Sequence, residues 1–87
     1  MMKFQYNQRK SASNLKKHGI DFEQAQFLWD DPNLVELLAR SDDEARSIVI
    51  ARFNRQYWSA VFTYRDDDIR LISVRRSRKA EVELYES

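Results

Sequence analysis

The chain has 87 residues, with one glycine, one proline and no cysteine; 43% are hydrophobic, 33% are charged, and the net charge is +1. A chain this short fills one core, so residues 1–87 are expected to form a single domain. Without cysteine there is no disulfide, thiolate metal site or cysteine nucleophile, and no apolar run approaches the roughly 20 residues that cross a bilayer. The opening Met-Met-Lys-Phe-Gln-Tyr-Asn also lacks the apolar stretch of a secretory signal, which points to a cytoplasmic protein with no membrane partner.

Phe4 and Tyr6 alternate with polar neighbours, which suits a short opening strand. Asn7 is a good N-cap for a helix over Gln8–His18, and Gly19 stands where a left-handed residue ends such a helix. Asp21 and Gln24 form a capping box for a second helix, whose apolar stripe is Phe22, Ala25, Leu28 and Trp29 and whose stop is Asp30-Asp31-Pro32. The spacing then predicts strands: Leu34–Ala39, an acidic turn at Ser41–Glu44, and an antiparallel meander of Arg46–Phe53, Tyr57–Arg65 and Ile69–Arg76. Ser77 is expected to cap a last helix from Arg78 to about Glu86.

With three-residue loops at Asn54-Arg55-Gln56 and Asp66-Asp67-Asp68, Phe53 pairs with Tyr57 and Arg65 with Ile69. One face then carries Ile48, Ile50, Trp58, Ala60, Phe62, Tyr64, Ile72 and Val74 as the core. The other carries Val49, Ala51, Ser59, Val61, Thr63, Leu71 and Ser73, with Arg65 and Arg75 towards its ends. That mixed face is expected to be partly covered and partly open. The fold class is therefore α+β: an antiparallel sheet of three to four main strands, two N-terminal helices and one C-terminal helix.

Charge is distributed in blocks. Residues 1–20 hold Lys3, Arg9, Lys10, Lys16 and Lys17 and no acid; residues 21–44 hold eight acids against Arg40; Arg70, Arg75, Arg76, Arg78 and Lys79 stand near the end. Basic ends of this kind attract a polyanion, while the acidic middle repels it or meets a basic protein. On the first helix Lys10, Asn14, Lys17 and His18 share one face, leaving Ala12 and Leu15 to dock on the sheet. The plainer account of that stripe is a solvated surface, with His18 capping the final carbonyls.

Histidine is the one side chain that titrates near neutrality, and the end of a helix favours its cationic form. His18 thus suits a proton donor or phosphate clamp. With one histidine and no cysteine, only carboxylates remain to complete a zinc site, so no metal or other cofactor is expected. Arg65 and Arg75 end or nearly end central strands, and an arginine fork suits the anionic transition state of phosphoryl chemistry. Against that, they can simply pair with Asp66–Asp68 and with Glu81 or Glu83. They also lie six residues apart along the sheet, about 20 Å at strand rise, too far to grip one phosphate. Most of the aromatic residues sit at inward positions and belong to the core, with Tyr85 open to either reading.

Several segments together resemble the BrnT family: Asn14-Leu-Lys-Lys-His-Gly-Ile-Asp-Phe-Glu-Gln-Ala25, Asp30-Asp-Pro32, Phe62-Thr-Tyr-Arg65, and Ile69-Arg-Leu-Ile-Ser-Val-Arg75 with Glu83 and Tyr85. The resemblance runs from about Phe4 to Tyr85. It departs where family members often carry Trp-Asp, here Tyr6-Asn7, and Ile-Gly, here Ile50-Ala51. It implies a RelE-like fold and the toxin half of a type II toxin–antitoxin pair, a ribonuclease that blocks translation. The partners it implies are an RNA substrate and a cognate DNA-binding antitoxin, with DNA reached only through that antitoxin. By position it points to Lys17, His18, Arg65 and Arg75 as catalytic candidates, working without metal by attack of the substrate's own 2′-hydroxyl. Lys10, Asn14, Arg76 and Arg78 are the candidates for holding substrate. The competing reading is a non-catalytic module that binds RNA or antitoxin within an autoregulatory repressor complex. Direct DNA recognition ranks lowest, because the second helix is committed to the core.

Overall fold

The structure is a computed structural model and describes residues 3–39 and 45–87. Its sheet has five strands: β1 (Phe4–Gln5), β2 (Val35–Ala39), β3 (Arg46–Phe53), β4 (Gln56–Arg65) and β5 (Asp68–Arg76), in the order β1-β5-β4-β3-β2. It is mixed, since β1 runs parallel to β5 while the other neighbours are antiparallel. The sheet is thus wider than the three to four antiparallel strands expected. The acidic turn Ser41–Glu44 and Arg40 lie outside the described residues.

Helix α1 spans Gln8–His18 as its caps dictate: the Asn7 side chain accepts from the Arg9 and Lys10 amides, and Gly19 is left-handed at φ 83°. The capping box of the second helix also forms, with Gln24 N donating to Asp21 Oδ1 and Asp21 N to Gln24 Oε1. The helix it opens, Gln24–Asp30, is a 3-10 helix rather than an α-helix. Phe22, Ala25 and Leu28 are all buried, and their spacing of three is the eclipsed repeat of a 3-10 turn. The C-terminal helix α2 (Lys79–Glu86) takes Arg78 as its N-cap, one residue beyond the expected Ser77, whose hydroxyl instead meets Ser59 Oγ at 2.8 Å.

Both hairpins have two-residue loops, not three. Phe53 pairs with Gln56 and Arg65 with Asp68, and the turns are made by left-handed Asn54 and Arg55 (φ 55° and 67°) and by Asp66 (φ 56°). A one-residue slip turns a whole strand over. On β3 the core residues are consequently Val49 and Ala51, packed with Trp58, Ala60 and Phe62 of β4. On β5 a bulge opposite Val61/Phe62 adds Ile72, so that Leu71 and Val74 both reach the core and Ile72 does not.

The core lies between this face and the segment from Ile20 to Leu28. Trp29 bridges it, edge-on to Phe4 at 5.0 Å and to Phe62 at 5.2 Å. The opposite face carries Ile50, Ser59 and Thr63, all buried, and α2 lies over part of it through Tyr57, Ser59 and Arg75.

Helix α1 docks by polar atoms, not by Ala12 and Leu15, both of which are exposed. Ser11 Oγ accepts from Phe22 N, while Asn14 donates to the carbonyls of Ile20 (2.7 Å) and Val74 (2.9 Å) and accepts from Val74 N (3.1 Å). β1 covers β5 only at Ile69 and Arg70, so beyond that point Asn14 completes the strand's outer edge as a strand would. Asn14→Ala strips three buried backbone groups of their partner and is expected to cost about 3 kcal/mol or more, measured as a lowered midpoint in urea denaturation.

Candidate functional site

Along the outer edge of β5, α1 leaves a groove of about 190 Å³ lined by Lys10, Ser13, Asn14, Lys17, His18, Ile72 and Ser73. The helix supplies the cations because 10, 14, 17 and 18 fall on one face. The strand supplies the floor because its bulge sets two residues, Ile72 and Ser73, where the ladder has room for one. Lys10, Lys17 and His18 are exposed while Asn14 is buried. Asn14 is therefore the anchor of the groove, with its amide committed to backbone, and the two lysines and the imidazole are what a ligand meets.

Arg75 lies two residues beyond Ser73, opposite Ser59. Its side chain is 22% exposed and holds Glu81 of α2 by two bonds, Nη1 to Oε1 at 2.7 Å and Nη2 to Oε2 at 2.8 Å. Of the carboxylate partners weighed for it, Glu81 is the one in place. Glu81 Oε1 also accepts from Ser59 Oγ at 2.9 Å and from Arg78 N at 2.7 Å. The Arg75 hydrogen bonds, with those of the Arg78 amide and Ser59, outweigh burial and hold the Glu81 carboxyl down at about 2.

The remaining candidates are not in the groove. Arg65 is exposed at the far end of β4, opposite Asp68 and six residues from Ser59, so about 20 Å of strand separates it from Arg75. Among the described residues it forms no ion pair. Arg76 turns to the other face and lies over the Trp58 ring at 5.6 Å, and Arg78 is exposed at the head of α2. The structure thus joins Lys10, Asn14, Lys17 and His18 directly, keeps Arg75 outside the groove lining but two residues along β5 from Ser73, and leaves Arg65 apart. Sequence reasoning did not single out Ile72, Ser73 or Ser59 as site residues; Ile72 and Ser73 enter through a bulge that no residue pattern announces.

A second, larger groove of about 530 Å³ lies by the β3–β4 turn, where Phe27 and Phe53 stack at 5.6 Å and Asp30 and Asp31 stand among Arg52, Arg55 and Tyr85. Tyr85 donates to Asp31 Oδ2 at 2.7 Å; burial first, and this bond second, push the tyrosine up to about 12. Asp31 also accepts from the Arg52 and Asn33 amides, so it is a structural hub tying the 3-10 helix, β3 and α2 together. Two carboxylates in its lining make this groove a poorer seat for phosphate than the one beside α1.

A five-stranded mixed sheet with three helices, and a groove beside the first of them lined by Lys10, Lys17 and His18, defines a small α+β protein with a basic groove. The family model of the BrnT ribonuclease toxin of type II toxin–antitoxin systems matches residues 6–81, and the chain belongs to that family. Among curated proteins no relative matches it.

Because Glu81 titrates at about 2 in the folded chain against an ordinary value of 4.5, its contribution is fully present above about pH 4.5 and is lost as pH falls through about 2. It is worth on the order of 3 kcal/mol at neutral pH. Glu81→Gln should therefore flatten the stability profile between pH 4.5 and pH 2, measured by urea denaturation across that range.

Proposed function

We propose that this chain is a cytoplasmic endoribonuclease toxin that cuts RNA without a metal ion, stops translation, and is neutralised by a cognate antitoxin. The observation that carries this reading is the convergence of Lys10, Lys17 and His18 on one groove at the β5 bulge, with Arg75 two residues away. RNA provides its own nucleophile. The 2′-hydroxyl loses its proton and attacks the adjacent phosphorus, the bond to the 5′-oxygen breaks, and that oxygen takes up a proton, leaving a 2′,3′-cyclic phosphate and a 5′-hydroxyl. The protein's tasks are to align this displacement and to neutralise charge on the non-bridging oxygens.

In this scheme Lys17 or His18 carries the proton and Arg75 faces the developing charge. Lys10 holds the backbone within the groove, and Asn14 keeps the helix in place. Arg76 and Arg78 extend the cationic path, while Arg65, one strand length away, contacts RNA beyond the scissile bond or the antitoxin. The antitoxin itself contacts DNA, and the toxin reaches DNA only through it.

A non-catalytic RNA-binding or antitoxin-binding role is the second reading, and one observation favours it: Arg75 is already held by a carboxylate. Incubating purified protein with RNA in EDTA separates the two. Cleavage should persist, and Lys17→Ala or His18→Ala, whichever carries the proton, should slow it at least about 100-fold. Arg75→Ala should cost about 100- to 1,000-fold. RNA that is bound but left intact, with an affinity that falls steeply with salt, would replace the enzyme with the binding module.

A further inference from the structure

The Arg75–Glu81 pair is built unlike a surface ion pair. Such pairs form between two mobile side chains and add little. Here the carboxylate is fixed from three elements: Ser59 Oγ of β4, the Arg78 amide at the start of α2, and both terminal nitrogens of Arg75 on β5. Ser59 is fully buried, and its hydroxyl is backed by Ser77 Oγ at 2.8 Å. Helix α2 buries no side chain of its own, so much of its attachment is polar: Glu81 to Ser59 and Arg75, Tyr85 to Asp31, and Tyr57 to Glu86.

A guanidinium has five N–H donors arranged on two usable edges. Glu81 occupies the end edge with one hydrogen each from Nη1 and Nη2, and the other Nη1 hydrogen leans on the Arg76 carbonyl at 3.3 Å. Nε–H and the second Nη2–H remain. Together they form the side edge, which none of the described residues occupies, and that edge matches two oxygens of a phosphate. The ion pair therefore does not remove Arg75 from use. It fixes the plane of the guanidinium and leaves one complete fork.

We infer that Glu81, seated by Ser59, is a positioning residue: it holds Arg75 by one edge so that the other is preformed for the RNA phosphate. This rests on the ribonuclease reading and deepens it, by giving α2 a part in the site. The partial loss of positive charge is offset by a donor pair that needs no reorganisation when the phosphate becomes more anionic.

Cleavage of a short single-stranded RNA by the wild type is compared with Glu81→Gln, Glu81→Ala, Ser59→Ala, Arg75→Ala and the Arg75→Ala/Glu81→Ala double variant. Binding of the 2′-O-methyl form of the same RNA, which cannot be cut, and the melting temperature of each variant are followed in parallel. Glu81→Ala should lower kcat roughly 10- to 100-fold with KM within about twofold. Glu81→Gln, which keeps one acceptor, and Ser59→Ala should fall between it and the wild type in kcat; each melts lower than the wild type by the interaction it loses, and both are assayed well below their melting temperatures. The double variant should be no slower than Arg75→Ala alone.

Wild-type or faster cleavage by the Glu81 variants overturns the inference, faster cleavage meaning that the carboxylate competes with substrate. Additive losses in the double variant overturn it too. If Glu81→Ala does not fold, Glu81→Gln and Ser59→Ala decide by the same criteria. If the wild type leaves RNA uncut, the ribonuclease reading falls and binding decides: equal, non-additive losses in Arg75→Ala and Glu81→Ala uphold the positioning role, and additive or absent losses overturn it.

Discussion

The arrangement of this protein turns on Asn14. Strand β5 is paired on both sides only at its beginning, because β1 contributes just two residues. Further along, Val74 would present a bare N–H and carbonyl at the sheet edge, a costly state for buried backbone. One amide side chain satisfies both and also takes the Ile20 carbonyl. In doing so it sets the distance and rotation of α1 against β5. Lys10, Lys17 and His18 lie on the groove because position 14 is pinned beneath them.

The parts that were legible in sequence are those written in local chemistry. Helix α1 runs from cap to cap as Asn7 and Gly19 specify, and the Asp21–Gln24 capping box forms as its spacing predicts. The common face of Lys10, Lys17 and His18 comes from helical geometry alone. The sheet register was not legible. Turns with left-handed positions usually announce themselves through Gly, Asn or Asp, and here Arg55 takes one such position. Nothing local distinguishes a two-residue loop at Asn54-Arg55 from a three-residue loop that includes Gln56. That single step inverted the faces of β3. On β5 the two-residue loop at Asp66-Asp67 misplaced Leu71 in the same way, and the bulge at Ile72 cancels that slip, so that Val74 stands where the expected register put it. Asn14, set among polar residues on a helix, looked like a surface contact to substrate; its burial depends on a strand 60 residues away.

Electrostatics divides the molecule by task. The acids of the 3-10 segment and its exit serve structure, with Asp31 collecting two amides and a tyrosine hydroxyl. The cations of α1 have no such duties and face solvent. Arg75 belongs to both groups, which is why its role depends on geometry rather than on net charge. One edge of its guanidinium is committed to the fold, and only the other can serve a ligand.

The 60-residue separation between Asn14 and Val74 also governs when the groove comes into being. Helix α1 has the local signals to form early, but its dock is the last strand of the sheet. A chain still being synthesised therefore carries the cations without the floor beneath them until β5 has emerged and paired with β4. Such distant pairings close slowly, because the intervening loop must be ordered first. The order of the elements along the chain thus withholds the groove from a nascent molecule until its fifth strand has joined the sheet.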